Sequence, residues 1–373
     1  RSYSVTGVQT CALPIYDNIK HKVIEVLESG YITEGPVTKH FEQEFCKYVG
    51  CKYSIAVTSC TTGLEIALRS TGLNEDDEVI VPDYTYPATG SVVNIAGAKT
   101  VLVDIDKNSM LIDYDSIEKA ITPKTKAIIP VSLFGNPLDY DRLNNIKQKF
   151  GVYIIEDAAC AIGSEYKGTK VGNFADITVF SFHPRKFITT GEGGMITTNN
   201  EKYANWMNSY KHFGMNMNNS NREQIKFDMI GTNYKLSNIL SAIGLEQLLI
   251  IDKLLEKRME LANNYINLLK NNSNISFPKT TENGVHSVQS FCIFVEERDR
   301  ILKQMRQIGI EVQIGTYALH QHNSFKESRL VKYSGSFDNS LYVYNHCLAL
   351  PIYHSLTFEE QEYIVRNLCN FIN

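Results

Sequence analysis

The chain has 373 residues, of which 43% are hydrophobic and 21% charged, a composition typical of a globular protein with room for two domains. Its 37 basic and 41 acidic residues give a formal net charge of -4 and form no basic run, which argues against a nucleic acid or an anionic membrane surface as a partner. No apolar run in the sequence reaches the length of a membrane-spanning helix.

Eight cysteines are scattered along the chain. They are Cys11, Cys46, Cys51, Cys60, Cys160, Cys292, Cys347 and Cys369. They form no CxxC pair, and no spacing brings cysteine and histidine together in the pattern of a metal site. The sequence therefore predicts reduced thiols, a cytoplasmic location and no bound metal.

The first 16 residues have no helical or strand period, and they lack the continuous apolar core of a signal peptide. Within them, VTGVQTCALPI resembles the translation of a common sequencing adapter. We therefore predict that residues 1–16 are a non-native segment that replaced the original N-terminus, and that Cys11 has no role. The native-looking sequence begins near Asp17.

From Asp17 onward, helical and strand patterns alternate. Helical spacing in DNIKHKVIEVLESG and GPVTKHFEQEFCKYVG is followed by the strand SIAVTS and by a helix that begins at CTTGLEIALRSTG. The short β-rich runs VIVP, TVLVDI, AIIPVSL and VYIIED come next, with helical segments such as DSIEKAI and YDRLNNIKQKF between several of them. Continuous apolar strands that alternate with helices predict a mostly parallel sheet covered on both faces.

The second half of the chain changes pattern. TVFSF and GGMITT leave no room for a helix between them, so this pair is predicted to be antiparallel. Residues 236–270 carry one long helical pattern, long enough to bridge two domains. The remaining SFCIFV, RDRILKQMRQIG and EEQEYIVRNLCNFI indicate a smaller α/β unit. We predict a large domain over residues 17–250 and a small C-terminal domain over residues 251–373.

Candidate functional residues follow from the rule that ligands bind beyond the carboxyl ends of parallel strands. The residues at such ends are Asp157 after VYIIE, Ser181 and Lys186 after TVF, Tyr84, Thr85 and Tyr86 after VIVP, and Ser59, Cys60, Thr61 and Thr62 after SIAV. Each also has a purely structural interpretation. Asp157 can cap a helix starting at Ala158, Tyr86 can be a packed aromatic, and the hydroxyl cluster can be an N-cap.

Together these side chains match the needs of one ligand. A hydroxyl-rich corner at a helix N-terminus suits a phosphate, because its amides are unpaired and the helix dipole is positive there, and Ser181 can add a further hydroxyl. A carboxylate such as Asp157 stabilises a protonated ring nitrogen. Lys186 can form a Schiff base when its surroundings lower its pKa. With an aromatic wall, these are the groups that pyridoxal 5'-phosphate (PLP) requires.

Five stretches strengthen this interpretation because they resemble, in order, those of the DegT/DnrJ/EryC1/StrS family of nucleotide-sugar aminotransferases. They are SCTTGLEIAL, VIVPDYTYPAT, IIEDAACAIGS, DITVFSFHPRKFITTGEGGMITT and GTNYKLSNILSAIGLEQL. The likeness runs from about Asp17 to LPIYHSLTFEE. It implies the α/β fold of aspartate aminotransferase, fold type I, with a large PLP-binding domain built on a mostly parallel mixed sheet and a smaller C-terminal α/β domain.

The resemblance also implies a role for individual residues. Lys186, at the lysine of the family's SFHPxK motif, would form the Schiff base, and Asp157, in the EDAA motif, would pair with the pyridinium nitrogen. Tyr86 matches the aromatic that stacks on the cofactor ring. Ser181 and Thr61 match contacts to the phosphate.

Further assignments concern the substrate and a second subunit. Asn233 in NYKL matches an asparagine that reaches the phosphate from the neighbouring subunit, which implies a homodimer with a shared active site. His320 in YALHQH stands where the family often has a histidine near the substrate, and a surface or hinge histidine is the equal alternative. His183 and Arg185 are candidates for contacts to the amino donor or the diphosphate, although Arg185 equally fits a solvated surface charge.

Two positions depart from the family pattern. Cys160 stands where the EDAAQA pattern has a glutamine that hydrogen-bonds the ring hydroxyl, and a thiol is a weak donor. Cys60 replaces the glycine of the SGT corner, so a phosphate there would meet a side chain. Both remain predicted cofactor contacts and bear on how tightly the cofactor is held. Some family members carry histidine in place of the Schiff-base lysine and act as dehydratases, so Lys186 favours transamination.

The predicted function is transfer of an amino group from glutamate to a keto sugar linked to a nucleotide, in amino-sugar or cell-surface polysaccharide biosynthesis. Three alternatives stay open. The first is another fold type I PLP enzyme acting on amino acids, such as a cysteine desulfurase or an amino-acid aminotransferase. The second is a regulatory protein with this fold, although no helix-turn-helix segment or basic face supports DNA binding. The third is a chain left unable to fold by its replaced N-terminus.

Overall fold

The computed structural model describes residues 15–216 and 222–372. The predicted non-native segment, with Cys11, lies outside the described residues except for its last two positions. Among the described residues, no helix combines the length and the apolar character needed to cross a membrane.

The α-helices and strands of the described residues run from Asp17 to Ile372. The helices are α1 (Asp17–Ser29), α2 (Pro36–Val49), α3 (Cys60–Ser70), α4 (Pro87–Ile95), α5 (Tyr114–Ala120), α6 (Tyr140–Phe150), α7 (Glu201–Tyr210), α8 (Asn238–Leu248), α9 (Ile251–Leu269), α10 (Arg298–Gln307), α11 (Asn323–Lys326), α12 (Asp338–His346) and α13 (Phe358–Ile372). The strands are β1 (Tyr53–Val57), β2 (Glu78–Pro82), β3 (Tyr84–Thr85), β4 (Lys99–Val103), β5 (Thr125–Ile128), β6 (Tyr153–Asp157), β7 (Glu165–Tyr166), β8 (Thr169–Lys170), β9 (Ile177–Ser181), β10 (Gly194–Thr198), β11 (Gly284–Val285), β12 (Phe291–Phe294), β13 (Gln313–Ile314), β14 (Tyr317–Ala318), β15 (Val331–Ser334) and β16 (Cys347–Leu350).

The largest sheet among the described residues has eight strands in the order β1-β10-β9-β6-β5-β2-β4-β15. The pairs from β9 to β15 are parallel, whereas β10 runs antiparallel to both β9 and β1. The prediction of a mostly parallel mixed sheet is therefore confirmed, and so is the antiparallel pairing of TVFSF with GGMITT. The second antiparallel pair, β1 with β10, was not predicted.

Both faces of this sheet are covered. Val179 and Phe180 are consecutive in β9 and both are buried, yet they belong to different apolar clusters. Because successive strand residues point to opposite faces, the sheet has a packed core on each side. This is why its strands read as continuous apolar runs, and why polar side chains concentrate where the strands end.

One expectation about the helices is wrong, because residues 236–270 do not form a single helix. The chain breaks between α8 and α9, where the amide of Ile250 binds the carbonyl of Gln247, three residues back, at 3.2 Å. Leu248 and Ile251 on the two sides of the break are both buried. The change of direction keeps both apolar side chains in the core.

The C-terminal part of the chain builds a core of its own and also joins the large sheet. Strands β12, β16 and β13 form a separate sheet that packs with α9, α10 and α13. In contrast, β15 extends the large sheet beside β4, and β14 pairs with β3. The proposed boundary at residue 250 stays a prediction, and from beyond it β15 joins the large sheet while β14 pairs with β3 in a separate two-stranded sheet.

Candidate active site

The corner after β1 is built by a helix cap. Ser59 is the N-cap of α3: its Oγ accepts from the amide of Thr62 at 3.1 Å, and its own amide donates to Oγ1 of Thr62 at 3.1 Å. The N-cap interpretation of these hydroxyls is thus confirmed. The amides of Cys60 and Thr61 belong to the first turn, where a helix offers no intrahelical acceptor. Thr61 is exposed, so the corner keeps the amides and hydroxyl that an anion needs.

Sheet register brings Ser181 beside this corner. Gly194 pairs with Val57 at the end of β1 and with Ser181 at the end of β9. A Cβ on Gly194 would lie 2.7 Å from the amide nitrogen of Cys60 and from the carbonyl carbon of Ser59. Only glycine therefore lets β10 pass this close to the start of α3. The glycine of GEGG thereby places the Ser181 strand next to the helix N-terminus.

Asp157 ends β6 with its carboxylate buried. Oδ2 accepts from Oγ1 of Thr89 at 2.8 Å, and Oδ1 accepts from the amide of Ala159 at 3.1 Å. Burial raises the pKa of Asp157, while the Thr89 and Ala159 hydrogen bonds and the charge of Lys186 oppose this rise. Residues 158–163 form turns and no helix. The interpretation of Asp157 as a helix cap is therefore wrong.

Thr89 was not predicted. It lies inside α4, fully buried, and its hydroxyl also contacts Oγ1 of Thr85 at 3.0 Å. Thr85, Thr89 and Asp157 thus form one chain of hydrogen bonds from β3 to β6. In the sequence, Thr89 is visible only as a polar residue in the mostly apolar helix PATGSVVNI. This pattern does not reveal that its hydroxyl binds the carboxylate of Asp157.

Cys60 turns towards Asp157. Its Sγ lies 3.9 Å from Oδ1 of Asp157 and 3.8 Å from the carbonyl of Val179, and the side chain is buried. Burial and the Asp157 charge raise the pKa of the Cys60 thiol well above its usual value. The thiol is therefore neutral and fills the space under the corner. The expectation that a phosphate at the corner meets this side chain is not supported by these contacts.

Lys186 reaches the same cluster from the loop after β9. Its Nζ donates to Sγ of Cys160 at 3.0 Å, and its amide closes a turn on the carbonyl of His183 at 2.8 Å. Burial lowers the pKa of Lys186, but the hydrogen bond to Sγ of Cys160 and the nearby Asp157 carboxylate outweigh it, so the pKa is raised. The described surroundings of Lys186 therefore raise its pKa, and its role in a Schiff base stays a prediction. The groups that hold the ammonium are those predicted to face the cofactor.

The neighbours of Lys186 in the loop have different surroundings. Nδ1 of His183 accepts from the amide of Arg185 at 3.2 Å, and burial lowers the pKa of His183. The amide of His183 donates to Oγ of Ser181 at 3.3 Å. Arg185 is exposed. His183 thus stabilises the loop, and a contact of either residue with a substrate stays a prediction.

Tyr86 offers a free aromatic face. It precedes α4 and is 64% exposed, with its ring centroid 6.3 Å from that of Tyr317. The interpretation of Tyr86 as a packed core aromatic is therefore wrong. Tyr317 lies in β14, which pairs with β3 just before Tyr86. This pairing brings the C-terminal part of the chain to the edge of the site.

His320 follows β14 and is held by a buried carboxylate. Its amide donates to Oδ1 of Asp83 at 2.7 Å, its Nδ1 lies 2.6 Å from Oδ2, and Ser340 donates to the same Oδ2. The His320 ring stacks on the ring of Phe337, with 4.9 Å between the ring centroids. His320 is thus half-buried and oriented, unlike a free surface histidine. Its contact with a substrate stays a prediction.

Asn233 is an exposed residue in a mostly half-buried segment beside the phosphate corner. Lys235 forms an isolated antiparallel β-bridge with Val57, and the carbonyl of Tyr234 accepts from the amide of Thr58 at 3.1 Å. The side chain of Asn233 is exposed and accepts from Nζ of Lys235 at 2.5 Å. Its described side-chain contact is therefore with Lys235, outside the cluster of Asp157, Cys160 and Lys186.

The residues present fit PLP. The buried carboxylate of Asp157 suits a ring cation, and Lys186 belongs to the same cluster. The α3 corner, with Ser181 beside it, offers amides and hydroxyls to a phosphate. The exposed ring of Tyr86 is free to stack. This donor set lies at the carboxyl edge of the sheet, where the fold predicts a ligand.

Comparison with known proteins gives a consistent picture. A model of the DegT/DnrJ/EryC1/StrS aminotransferase family matches residues 14–369. The spore coat polysaccharide biosynthesis protein SpsC of Bacillus subtilis is 32% identical over 357 residues, which cover 92% of each chain.

Solved structures extend this likeness to the fold. Helicobacter pylori PseC, an aminotransferase involved in the biosynthesis of pseudoaminic acid, is 27% identical and has a TM-score of 0.89, with 95% of this chain and 96% of PseC covered. Spr1654 from Streptococcus pneumoniae, in its PLP form, is 29% identical with a TM-score of 0.89, and 96% of each chain is covered. The expected fold type I architecture is thereby confirmed.

Proposed function

Because the chain belongs to the DegT/DnrJ/EryC1/StrS aminotransferase family, with PLP as its cofactor, we propose that it transfers the amino group of glutamate to a nucleotide-linked keto sugar. The observation that carries this proposal is the cluster in which Lys186 contacts Cys160 beside the buried Asp157. The names of SpsC and PseC support a role in amino-sugar or polysaccharide biosynthesis. The intact lysine favours transamination over dehydration.

When bound, the cofactor supplies an aldehyde that carries the amino group and a ring that accepts electrons. Asp157 would hold a proton on the ring nitrogen, because a cation beside the carboxylate favours its ionised form despite burial. Thr89 and the amide of Ala159 fix the carboxylate in place. The α3 corner and Ser181 would bind the phosphate, and Tyr86 would cover the ring.

Lys186 performs the proton transfers. Its Nζ is the amine of the cluster, and it takes up and returns the proton that amino-group transfer moves. Cys160, 3.0 Å away, holds this amine when it is free. The surroundings of Lys186 raise its pKa, so its amine must lose a proton before it acts as a base. His320 and His183 are proposed to contact the substrates.

The substrate class can be tested with one assay. Purified enzyme with PLP is given glutamate and a panel of nucleotide-linked 3-keto and 4-keto sugars, and 2-oxoglutarate formation is measured. We expect product with at least one nucleotide-linked sugar and none with the matching keto sugar lacking the nucleotide. Efficient amino transfer to pyruvate or oxaloacetate instead would favour an amino-acid aminotransferase, and release of sulfide from cysteine would favour a desulfurase.

We also propose that the enzyme is a homodimer in which Asn233 reaches the phosphate of the partner subunit. Asn233 is exposed, and several large apolar side chains on nearby segments are exposed as well. Ile230 is 97% exposed, Tyr31 68% and Phe227 62%. Burial of such side chains against a second copy removes apolar surface from water.

A shared site predicts complementation between two inactive variants. Lys186→Ala and Asn233→Ala are each expected to lose activity, and mixing them with subunit exchange should restore about one quarter of the wild-type value, because half of the dimers are hybrids with one intact site of two. Each variant mixed with itself is the control. A site formed by a single chain predicts no recovery on mixing, and a single monomeric species by light scattering would also reject the dimer.

A further inference from the structure

Three C-terminal segments converge on the loop that carries Lys186. Nε2 of Gln289 donates to the carbonyl of Arg185 at 2.7 Å, which fixes the peptide immediately before Lys186. On the other side of Lys186, the ring of Phe187 lies 5.1 Å from the guanidinium of Arg258 and 5.5 Å from the ring of His354. The residues on both sides of the lysine are therefore held by groups that come from beyond residue 250.

These holding groups are themselves fixed in the interior. Arg258 in α9 is 1% exposed, and its Nη1 donates to the carbonyl of Ile352 at 2.8 Å and to that of Gln289 at 3.4 Å. Gln289 is 9% exposed, and its Oε1 has no hydrogen-bond partner among the described residues. Burial and the charge of Arg258 lower the pKa of His354 to about 4, so its ring is neutral beside the guanidinium at neutral pH. Arg258 thus connects Gln289 to Phe187.

The arrangement uses Gln289 in an unusual way for a buried amide. A buried glutamine that only satisfies polar groups would use both its oxygen and its nitrogen, as Gln361 does with Nδ2 of Asn264 at 2.9 Å and the carbonyl of Leu261 at 2.8 Å. Gln289 leaves its oxygen unpaired and keeps the bond to Arg185. An unpaired buried acceptor destabilises the folded protein. That cost is consistent with a role in the loop's geometry.

We propose that Gln289 and Arg258 are positioning residues that set the direction of the Lys186 side chain from the C-terminal part of the chain. The proposal rests on the role proposed for Lys186 and is independent of which amino acceptor the enzyme uses. Gln289 fixes the carbonyl before Lys186 and Arg258 fixes the ring after it, so the backbone torsions at Lys186 have little freedom. The packing of α9 against β12 and β16 thereby helps to fix the position of the reacting amine.

The test compares Gln289→Met, which keeps length and removes the donor, with Gln361→Ala. Gln361 is the matched control because it is a fully buried glutamine whose Nε2 also donates to a backbone carbonyl, that of Leu261 in α9, at 2.8 Å, yet it does not contact the loop. Two signals are measured on equal amounts of folded protein. One is the visible circular dichroism of bound PLP, and the other is amide hydrogen exchange of residues 183–190 without cofactor.

For Gln289→Met we expect faster exchange in the loop, an altered circular dichroism per bound PLP, and a fall in kcat of about tenfold or more with the KM for glutamate nearly unchanged. Gln361→Ala should lower the unfolding temperature and leave the loop exchange and the dichroism as in the wild type. Arg258→Met should reproduce the dichroism change, but Gln289→Met is the deciding variant, because loss of the fully buried Arg258 can unfold the protein. Equal loop exchange and dichroism in Gln289→Met and wild type would overturn the proposal, whatever substrate the enzyme proves to use.

Discussion

Lys186→Ala is expected to abolish the absorbance band of lysine-bound PLP and to lower turnover with any amino donor by at least about a thousand-fold. Nζ of Lys186 donates to Sγ of Cys160 at 3.0 Å, and the Asp157 carboxylate nearby also favours its charged form. The variant therefore removes both the covalent attachment and the proton carrier. Absorbance spectroscopy of the purified protein with PLP and a 2-oxoglutarate assay measure the two losses separately.

The control for this variant is Lys149→Ala. Lys149 lies in the last turn of α6 and pairs with Glu118 on the surface at 2.5 Å, so its removal changes the net charge equally but leaves the site untouched. We expect the band and the turnover of the wild type in this control. A PLP band that survives in Lys186→Ala and is lost only in another lysine variant would contradict the assignment. Near-ultraviolet circular dichroism without cofactor shows whether Lys186→Ala is folded.

Local sequence patterns were enough to predict much of the fold, because apolar periodicity is set by neighbours along the chain. The strand SIAVTS, the antiparallel pair TVFSF and GGMITT, and most helices follow from such patterns. Strand β15 could not be predicted in this way. In VKYS only Val331 is buried, and the strand exists because it pairs with β4, more than 200 residues earlier.

The same distinction between local patterns and long-range packing applies to the residues of the site. Asp157, Ser181 and Lys186 could be placed together from the rule about strand ends alone. The Thr89 hydroxyl could not, because its contact with Asp157 depends on how α4 docks against the sheet. The raised pKa of Lys186 could not be predicted for a similar reason, because it depends on the contact of its Nζ with Sγ of Cys160 after β6. The Gln289 contact with Arg185 also joins segments about 100 residues apart.

Asp157→Asn is expected to lower turnover by about a thousand-fold while the protein still binds PLP and stays folded. The amide is nearly the same shape as the carboxylate but carries no charge, so it cannot hold a proton on the ring nitrogen. Burial raises the pKa of Asp157, which means that the charged form is disfavoured by its surroundings. Asparagine removes the free-energy cost of burying this charge. The loss of one hydrogen bond, from Thr89 or from the amide of Ala159, costs about 1 kcal/mol and offsets that gain.

Activity and stability should therefore separate in Asp157→Asn. We expect an unfolding temperature close to that of the wild type, together with the lost turnover, and calorimetry and the 2-oxoglutarate assay check the pair of outcomes. Turnover within about tenfold of the wild type would show that the ring nitrogen is not paired with this carboxylate. A misfolded variant is recognised by its lost cooperative unfolding transition.

Thr89→Val tests the same carboxylate from its partner. The variant keeps the charge of Asp157 and removes the hydroxyl that donates to Oδ2 at 2.8 Å. A hydrogen bond to the ionised form lowers a carboxyl pKa, so its loss raises the pKa of Asp157 further. The carboxyl then takes up a proton at a higher pH than in the wild type, and the acid limb of the kcat/KM profile should move to higher pH. Asp157→Asn has no carboxyl group to titrate at this position, so its profile should lack this limb. A limb that moves in Thr89→Val and is absent in Asp157→Asn identifies Asp157 as the group whose ionisation sets it.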